Sequence, residues 1–279
     1  MMNTRELEVC VISDLHLATH ACKSKKILKY LRSIHPKTLV LNGDIIDSWR
    51  FSRNYFPKSH LKVVRQLIKM MEKGTRIFYI TGNHDEFLRR FEKIQIGNLQ
   101  ILNQLVLELN GKKTWIFHGD IFDEVIHETK WLAKTGAAAY GLITLINNGL
   151  APIFRFFTKK EIILFKSIKN SLTKEKPEPS VFERKLSEVA VKQGYSTVIC
   201  GHTHVPKEKL IEAENTSIHY LNCGDWVENF TAAEYESGKW SLNYYVENEE
   251  ETTTDDTEIP DDKKLYQSLL KELVYANML

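Results

Sequence analysis

Five short apolar runs along the chain each end in a polar cluster of Asp, Asn and His. Residues 9–13 lead to Asp14-Leu15-His16, 38–41 to Asn42-Gly43-Asp44, and 77–80 to Thr81-Gly82-Asn83-His84-Asp85. Residues 114–117 lead to His118-Gly119-Asp120, and 197–200 to Gly201-His202-Thr203-His204. Apolar runs this short, closed by turn residues, read as buried strands. Between the first three lie helical spacings. Ile27, Leu28, Leu31 and Ile34 predict a helix over 23–34. Val63, Val64, Leu67, Ile68 and Met71 predict a second, capped by Ser59 and ended by Gly74. This βαβαβ order predicts a largely parallel sheet with right-handed crossovers.

The pattern changes after residue 99. Residues 105–109 alternate, Asn110-Gly111 is a hairpin turn, and 114–117 returns as a strand. Residues 179–193 read as a helix, and 207–211, 217–221, 232–235 and 240–246 as short strands with turns such as Ser237-Gly238. Parallel units followed by hairpins predict an α/β fold of two packed sheets with helices outside. Residues 124–176 interrupt this order. They are apolar and aromatic in patches, with Trp131, Tyr140, Phe154 and Phe157, and read as two or three helices. Residues 265–274 read as a short apolar helix that docks on the body or on another subunit.

Charge changes the picture more than composition does. At 279 residues, 43% apolar and 27% charged, the chain is an ordinary globular protein with a net charge of +2. Yet residues 247–262 hold nine acidic residues and no basic one, which reads as a disordered linker. Residues 1–246 then carry 35 Lys+Arg against 26 Asp+Glu, a net of +9. A basic body fits an anionic partner: a phosphate ester, a nucleic acid or a membrane surface. A solvated basic face is the plainer reading. The basic residues are spread out and no nucleic-acid-binding signature appears, so no nucleic acid is expected. Cys10, Cys22, Cys200 and Cys223 form no Cys-x-x-Cys pair and predict buried thiols in a reducing compartment. No secretory signal is visible at the N-terminus and no apolar run reaches the ~18 residues of a membrane span. The expected location is the cytoplasm, with peripheral contact to a membrane.

Any one of the five polar clusters is as easily a turn as a site. Five in order, each behind an apolar strand and so able to share one edge of the sheets, point to chemistry. The set D-x-H, G-D, G-N-H-D, H and G-H-x-H resembles the calcineurin-like metallophosphoesterase superfamily over most of residues 8–246. The resemblance implies a four-layer α/β/β/α sandwich, with the helical insertion as a cap, holding two metal ions. Asp14, His16, Asp44 and His204 would hold one ion, and Asp44, Asn83, His118 and His202 the other, with Asp44 between them. Two divalent ions ~3.5–4 Å apart need such a shared anion, and together they activate a water for in-line attack on phosphorus. Carboxylate, imidazole and amide ligands suit Mn²⁺ first, with Fe²⁺ or Zn²⁺ as alternatives. His84 would stand outside the ligand set and protonate the leaving group, with Asp85 orienting its imidazole. Asp85 reads equally well as the N-cap of a helix over 86–91. Asp47 and Asp120 read as supporting or turn residues.

Further stretches resemble the branch of UDP-2,3-diacylglucosamine hydrolase: residues 13–17, 43–49, 118–123 and the Asn-Cys-Gly-Asp-Trp-Val-Glu of 222–228. That resemblance implies cleavage of a lipid-linked sugar nucleotide to UMP and 2,3-diacylglucosamine 1-phosphate in lipid A synthesis, on the cytoplasmic face of the inner membrane. The cap would receive the acyl chains, with Arg155, Lys159 and Lys160 facing phosphates. One residue departs: the characterised hydrolases carry Arg where this chain has His84, and histidine can transfer a proton where arginine cannot. The alternatives are a phosphodiesterase or phosphatase acting on another lipid or nucleotide ester, and an inactive scaffold, which the intact ligand set disfavours. The expected organisation is a domain over 1–246 with its cap at about 124–176, an acidic linker over 247–264, and a helix over 265–279.

Overall fold

The central strands are buried on both faces, which is why they read as continuous apolar runs rather than as alternations. The computed structural model describes residues 4–48, 56–122, 180–213 and 216–247. The chain divides into two compact units, residues 1–120 with 190–279, and residues 121–189. The expected cap, linker and C-terminal helix lie outside the described residues, except for the ends of the cap's unit and Glu247.

Two sheets build the first unit. The chain starts with β1 (Arg5–Ile12), α1 (Ser24–Ser33), β2 (Ile34–Asn42), α2 (Lys58–Glu72) and β3 (Arg76–Ile80). β1, β2 and β3 pair in parallel, with Val11 beside Val40 and Val40 beside Phe78. β4 (Gln95–Ile96) and β5 (Leu99–Leu102) extend the sheet past β3. The second sheet consists of β6 (Gln104–Leu109), β7 (Lys112–Phe117), β8 (Thr197–Cys200), β9 (Lys207–Ala213) and β10 (Thr216–Asn222), in the order β6-β7-β8-β10-β9. It is mixed: β8 is parallel to both β7 and β10, while β6 and β9 are antiparallel to their neighbours. The last hairpin, β11 (Thr231–Glu236) and β12 (Lys239–Tyr244), returns to the first sheet and pairs antiparallel to β1.

Alternate residues of the first sheet enter two different cores. Val9, Val11, Val40, Phe78 and Ile80 meet Ile116, Ile199 and Leu221 of the second sheet. Cys10, Ile12, Leu39, Leu41, Ile77 and Tyr79 turn the other way, toward Ile27, Tyr30 and Leu31 of α1 and Val63 and Met70 of α2. Helices therefore cover one face of the first sheet and the second sheet covers the other, a mixed α/β arrangement. α3 (Val181–Gln193) begins at a reciprocal cap, Ser180 N donating to Glu183 Oε2 at 2.7 Å and Glu183 N to Ser180 Oγ at 3.2 Å.

Two expectations need correction. Ser59 does not cap α2; the helix starts at Lys58 with Pro57 at the cap and no side-chain bond. Proline supplies a suitable backbone angle there without a side-chain acceptor. The final hairpin belongs to the first sheet rather than to a separate run of hairpins. β4 and β5 have no strong apolar signal, because their residues are half-buried or exposed at the sheet's edge. All four cysteines are free and buried. Among the described residues, no helix is long and apolar enough to cross a membrane.

Ile199 is fully buried between the two sheets. Ile199→Ala should lower stability by about 2–4 kcal/mol through lost burial and a residual cavity. The check is a lower denaturant midpoint at an unchanged slope.

Candidate metal centre

The parallel pairings put the C-terminal ends of β1, β2 and β3 on one edge, and β7 and β8 end together in the second sheet. Backbone bonds then tie the five following loops to one another. Asp14 N donates to Gly43 O at 3.1 Å, His16 N to Asp44 O at 3.0 Å, and Gly201 N to His118 O at 2.8 Å. The sheets are bridged where His118 Nδ1 meets Asn42 O at 2.9 Å.

The loops bend sharply. Asp14, His16, Asp44, His202 and His204 all have positive φ, between 48° and 63°. Such a backbone costs an L-residue on the order of 1–2 kcal/mol, so the surrounding bonds must over-determine it. Two glycines with no positive φ are required for space alone. A Cβ on Gly82 would lie 2.3 Å from Asp44 Oδ1, and one on Gly201 would lie 1.9 Å from Ser13 Oγ and 2.7 Å from Asp14 Oδ2. Gly82 does not itself adopt a positive φ; its motif needs glycine because the Asp44 carboxylate occupies the side-chain position.

Three overlapping groups of side chains come within metal-ligand reach of one another: Asp14, His16 and His204; Asp44, His118 and His202; and His16, Asp44 and His84. In the first, Asp14 Oδ1 lies 3.0 Å from His204 Nε2 and 3.8 Å from His16 Nε2, and the two imidazoles approach to 3.4 Å. In the second, Asp44 Oδ2 lies 3.4 Å from His118 Nε2. Asn83 follows β3 on the same edge, and its amide oxygen is buried without a hydrogen-bond partner. His118 Nε2 is likewise buried without a well-formed hydrogen bond. Since Asn42 O can only accept, His118 keeps a proton on Nδ1, which leaves Nε2 as the nitrogen that can meet a metal ion once its own proton is displaced. Two carboxylates, a buried imidazole nitrogen and an orphaned amide oxygen fit divalent metal ions.

Burial alone would raise the Asp14 and Asp44 carboxyls, but His204 and His118 beside Asp14, and His118 and the His84 N–H beside Asp44, hold both below the usual carboxylate range. Burial would lower His118, but Asp44 and Asp14 reverse this and raise it to about 10. His204 is raised, chiefly by its bond to Asp14. Each carboxylate at this edge is thus held in its charged form by the groups beside it.

The expected partner of His84 is not its neighbour. Asp85 is fully buried and turned inward. Its oxygens accept Gly82 N at 2.6 Å, Ile45 N at 2.9 Å and the Tyr79 hydroxyl at 2.6 Å, so it neither orients His84 nor makes a side-chain cap for the 3-10 helix Glu86–Phe91. Asp47 faces the imidazole instead, with Oδ2 3.1 Å from His84 Nδ1 and 3.7 Å from His16 Nδ1. A bridge between Leu17 and Ile46 brings it there, with Asp47 N donating to Leu17 O at 2.9 Å. His84 also falls beside the ligands rather than apart from them, with Nε2 3.9 Å from Asp44 Oδ2. Asp120 pairs with Arg89. Sequence reading gave Asp47 as a supporting or turn residue without its partner, and it missed the Asn42 carbonyl and Ser13, which bonds Asp14 Oδ2 and Asn42 O. Only Asp47 left a trace, as the second carboxylate of Gly-Asp-Ile-Ile-Asp. Arg155, Lys159 and Lys160 lie outside the described residues.

Residues 7–206 match the calcineurin-like phosphoesterase family. A UDP-2,3-diacylglucosamine hydrolase of Aliivibrio fischeri is 24% identical over 246 residues, 85% of this chain and 98% of that protein. One of Neisseria gonorrhoeae is 32% identical over 113 residues, 39% of this chain and 47% of that protein. A solved structure from Streptococcus pneumoniae, described as a predicted phosphoesterase, is 16% identical with a TM-score of 0.38, covering 85% of this chain and 88% of its own.

Metal binding should strengthen with pH, because an ion must displace the His118 Nε2 proton, which is held up to about pH 10. For one proton displaced, affinity should rise about 100-fold from pH 6 to pH 8. Calorimetric Mn²⁺ titrations at the two values test this, and a flat profile would contradict it. Asp47→Asn should slow turnover at least about tenfold with folding intact. Asp85→Ala should instead cost about 2–4 kcal/mol of stability by orphaning buried donors. Steady-state kinetics and thermal unfolding of both variants separate the two roles.

Proposed function

The chain belongs to the calcineurin-like phosphoesterase family and is a metal-dependent phosphoester hydrolase; on that premise we propose that it hydrolyses UDP-2,3-diacylglucosamine to UMP and 2,3-diacylglucosamine 1-phosphate. The observation that carries the substrate is the likeness to the Aliivibrio fischeri hydrolase along 98% of that protein's length. The ligand groups at the sheet edge support the chemistry.

In this reading Asp14, His16, Asp44 and His204 hold one ion, and Asp44, Asn83, His118 and His202 the other, with Mn²⁺ the expected metal and Fe²⁺ or Zn²⁺ next. When bound, such a pair supplies hydroxide near neutral pH and offsets charge on the phosphoryl oxygens. His118 keeps its Nδ1 proton on Asn42 O and so presents only Nε2. His84, whose Nδ1 lies 3.1 Å from Asp47 Oδ2, would use Nε2 to protonate the departing phosphate. The net charge of +9 over residues 1–246 supports work at an anionic membrane surface on the cytoplasmic side.

His84 favours one second reading. Where the characterised hydrolases resembled here carry a fixed arginine charge, a histidine suits a smaller phosphodiester whose leaving group needs a proton.

The test is incubation of the Mn²⁺-loaded protein with UDP-2,3-diacylglucosamine, reading products by mass spectrometry. Equal amounts of UMP and lipid monophosphate are expected. Absence of both, beside Mn²⁺-dependent hydrolysis of bis(4-nitrophenyl) phosphate, would move the substrate to the second reading.

A further inference from the structure

The Asn-Cys-Gly-Asp-Trp-Val-Glu stretch has no part in the chemistry above, yet it and the next residue, Asn229, touch that edge at two points, once by a backbone N–H and once by a side-chain amide. Trp226 N donates to Asp14 O at 3.1 Å. Asn229 Nδ2 donates to His204 O at 2.9 Å and, with its other proton, to Asp225 Oδ2. Asp14 and His204 belong to the same ligand group. They come from different sheets, one following β1 and the other β8.

Asp225 holds this loop in shape. It is fully buried. Its Oδ1 accepts Val227 N at 2.6 Å, Glu228 N at 2.5 Å and Asn229 N at 3.4 Å, and its carbonyl accepts Phe230 N at 2.8 Å. Its Oδ2 also lies 3.9 Å from His204 Nδ1, the ring nitrogen away from Asp14. The loop is anchored from below by Trp226, which is fully buried with its ring 4.7 Å from Tyr30 and 6.0 Å from Tyr245. At the start of the stretch, Asn222 Nδ2 donates to Gly201 O at 2.9 Å and to Thr203 Oγ1 at 3.0 Å. Asn222 Oδ1 accepts Gly224 N at 2.9 Å. The loop thus grips the Gly-His-Thr-His turn from both ends.

We propose that Asp225 and Asn229 are positioning residues that clamp Asp14 and His204 together, and that they set the metal affinity of the Asp14–His16–His204 group and not that of the Asp44–His118–His202 group. The physical reason is the strained backbone of His204, whose φ is +56°. A left-handed histidine persists only while its neighbours fix it, and the Asn229 amide fixes the carbonyl on one side of the turn. The Asp44 group has ties of its own, His118 Nδ1 to Asn42 O and His84 N to Asp44 Oδ1, that do not involve Asp225 or Asn229; its His202 shares the gripped turn, but there the loop's bonds come from Asn222, which both variants below leave in place. This proposal rests on the metal-site reading given above.

The test is Mn²⁺ titration of wild type and Asn229→Ala, followed by electron paramagnetic resonance and calorimetry, with thermal unfolding of the metal-free proteins as the folding control. Asn229→Ala leaves the Asp225 carboxylate in place. The expected wild-type result is two ions with a spin-coupled spectrum. Asn229→Ala should weaken one equivalent by about 10–100-fold and leave the other within about threefold. At two equivalents it should show the six-line spectrum of isolated Mn²⁺, with coupling restored at higher Mn²⁺. Asp225→Asn, which keeps volume and the Oδ1 acceptor of the loop N–H groups but puts an NH2 donor where Oδ2 accepts Asn229 Nδ2, should repeat the pattern. Unchanged affinities in both variants, or equal weakening of both equivalents, would overturn the clamp while leaving the metal site standing. Fewer than two ions in wild type would overturn the two-metal reading and the clamp with it.

Discussion

Two carboxylates, Asp14 and Asp44, are almost completely buried at one edge of the sandwich, and much of the local structure follows from compensating them. A buried carboxylate without partners is strongly unfavourable. Here each receives a backbone N–H, from His202 to Asp14 and from His84 to Asp44, and each faces an imidazole. Bringing donors from five loops onto two small groups demands tight approach. That is why glycine stands at positions 82 and 201, and why five ligand-type residues accept a left-handed backbone. The strain is held by burial and by the bonds between loops, and it aims nitrogen and oxygen lone pairs at shared points in space.

The parts of this that the sequence carries are those with a short period. Strands β1, β2, β3, β7 and β8 could be read from apolar runs because both their faces are buried, and the motif residues because they follow those runs directly. Asp47 could not be assigned, because its meeting with His84 depends on the bridge between Leu17 and Ile46, two loops far apart in sequence. Asp85 was misread for the converse reason. Adjacency to His84 made it the natural partner, but the turn after β3 rotates successive side chains apart and sends Asp85 inward to Tyr79 and Ile45 N. The final hairpin was legible as strands but not as part of the first sheet, since nothing local says which edge a hairpin joins.

Asp85 nevertheless serves the site, through the backbone. By accepting Gly82 N and Ile45 N it ties the turn after β3 to the residue following Asp44. The Gly-Asn-His-Asp motif therefore combines two jobs: Asn83 and His84 face the edge, while Asp85 locks the loop that carries them to the loop that carries Asp44. A substitution at Asp85 acts on geometry first and on chemistry only as a consequence.

Two of the three ligand groups draw their carboxylate from the first sheet and at least one imidazole from the second. Asp14 and His16 follow β1 while His204 follows β8; Asp44 follows β2 while His118 and His202 follow β7 and β8. The distance across each of these two groups is therefore set by how closely the two sheets pack, through Val11, Val40, Ile116 and Ile199. Metal–ligand distances tolerate only about 0.2 Å, whereas protein interiors shift measurably on the loss of one methylene. The apolar core between the sheets is thus part of the site. It fixes the spacing that neither the loops nor the side chains at the edge can fix alone, and it explains why a fold with two faces of continuous apolar strand carries a set of ligands so widely scattered in sequence.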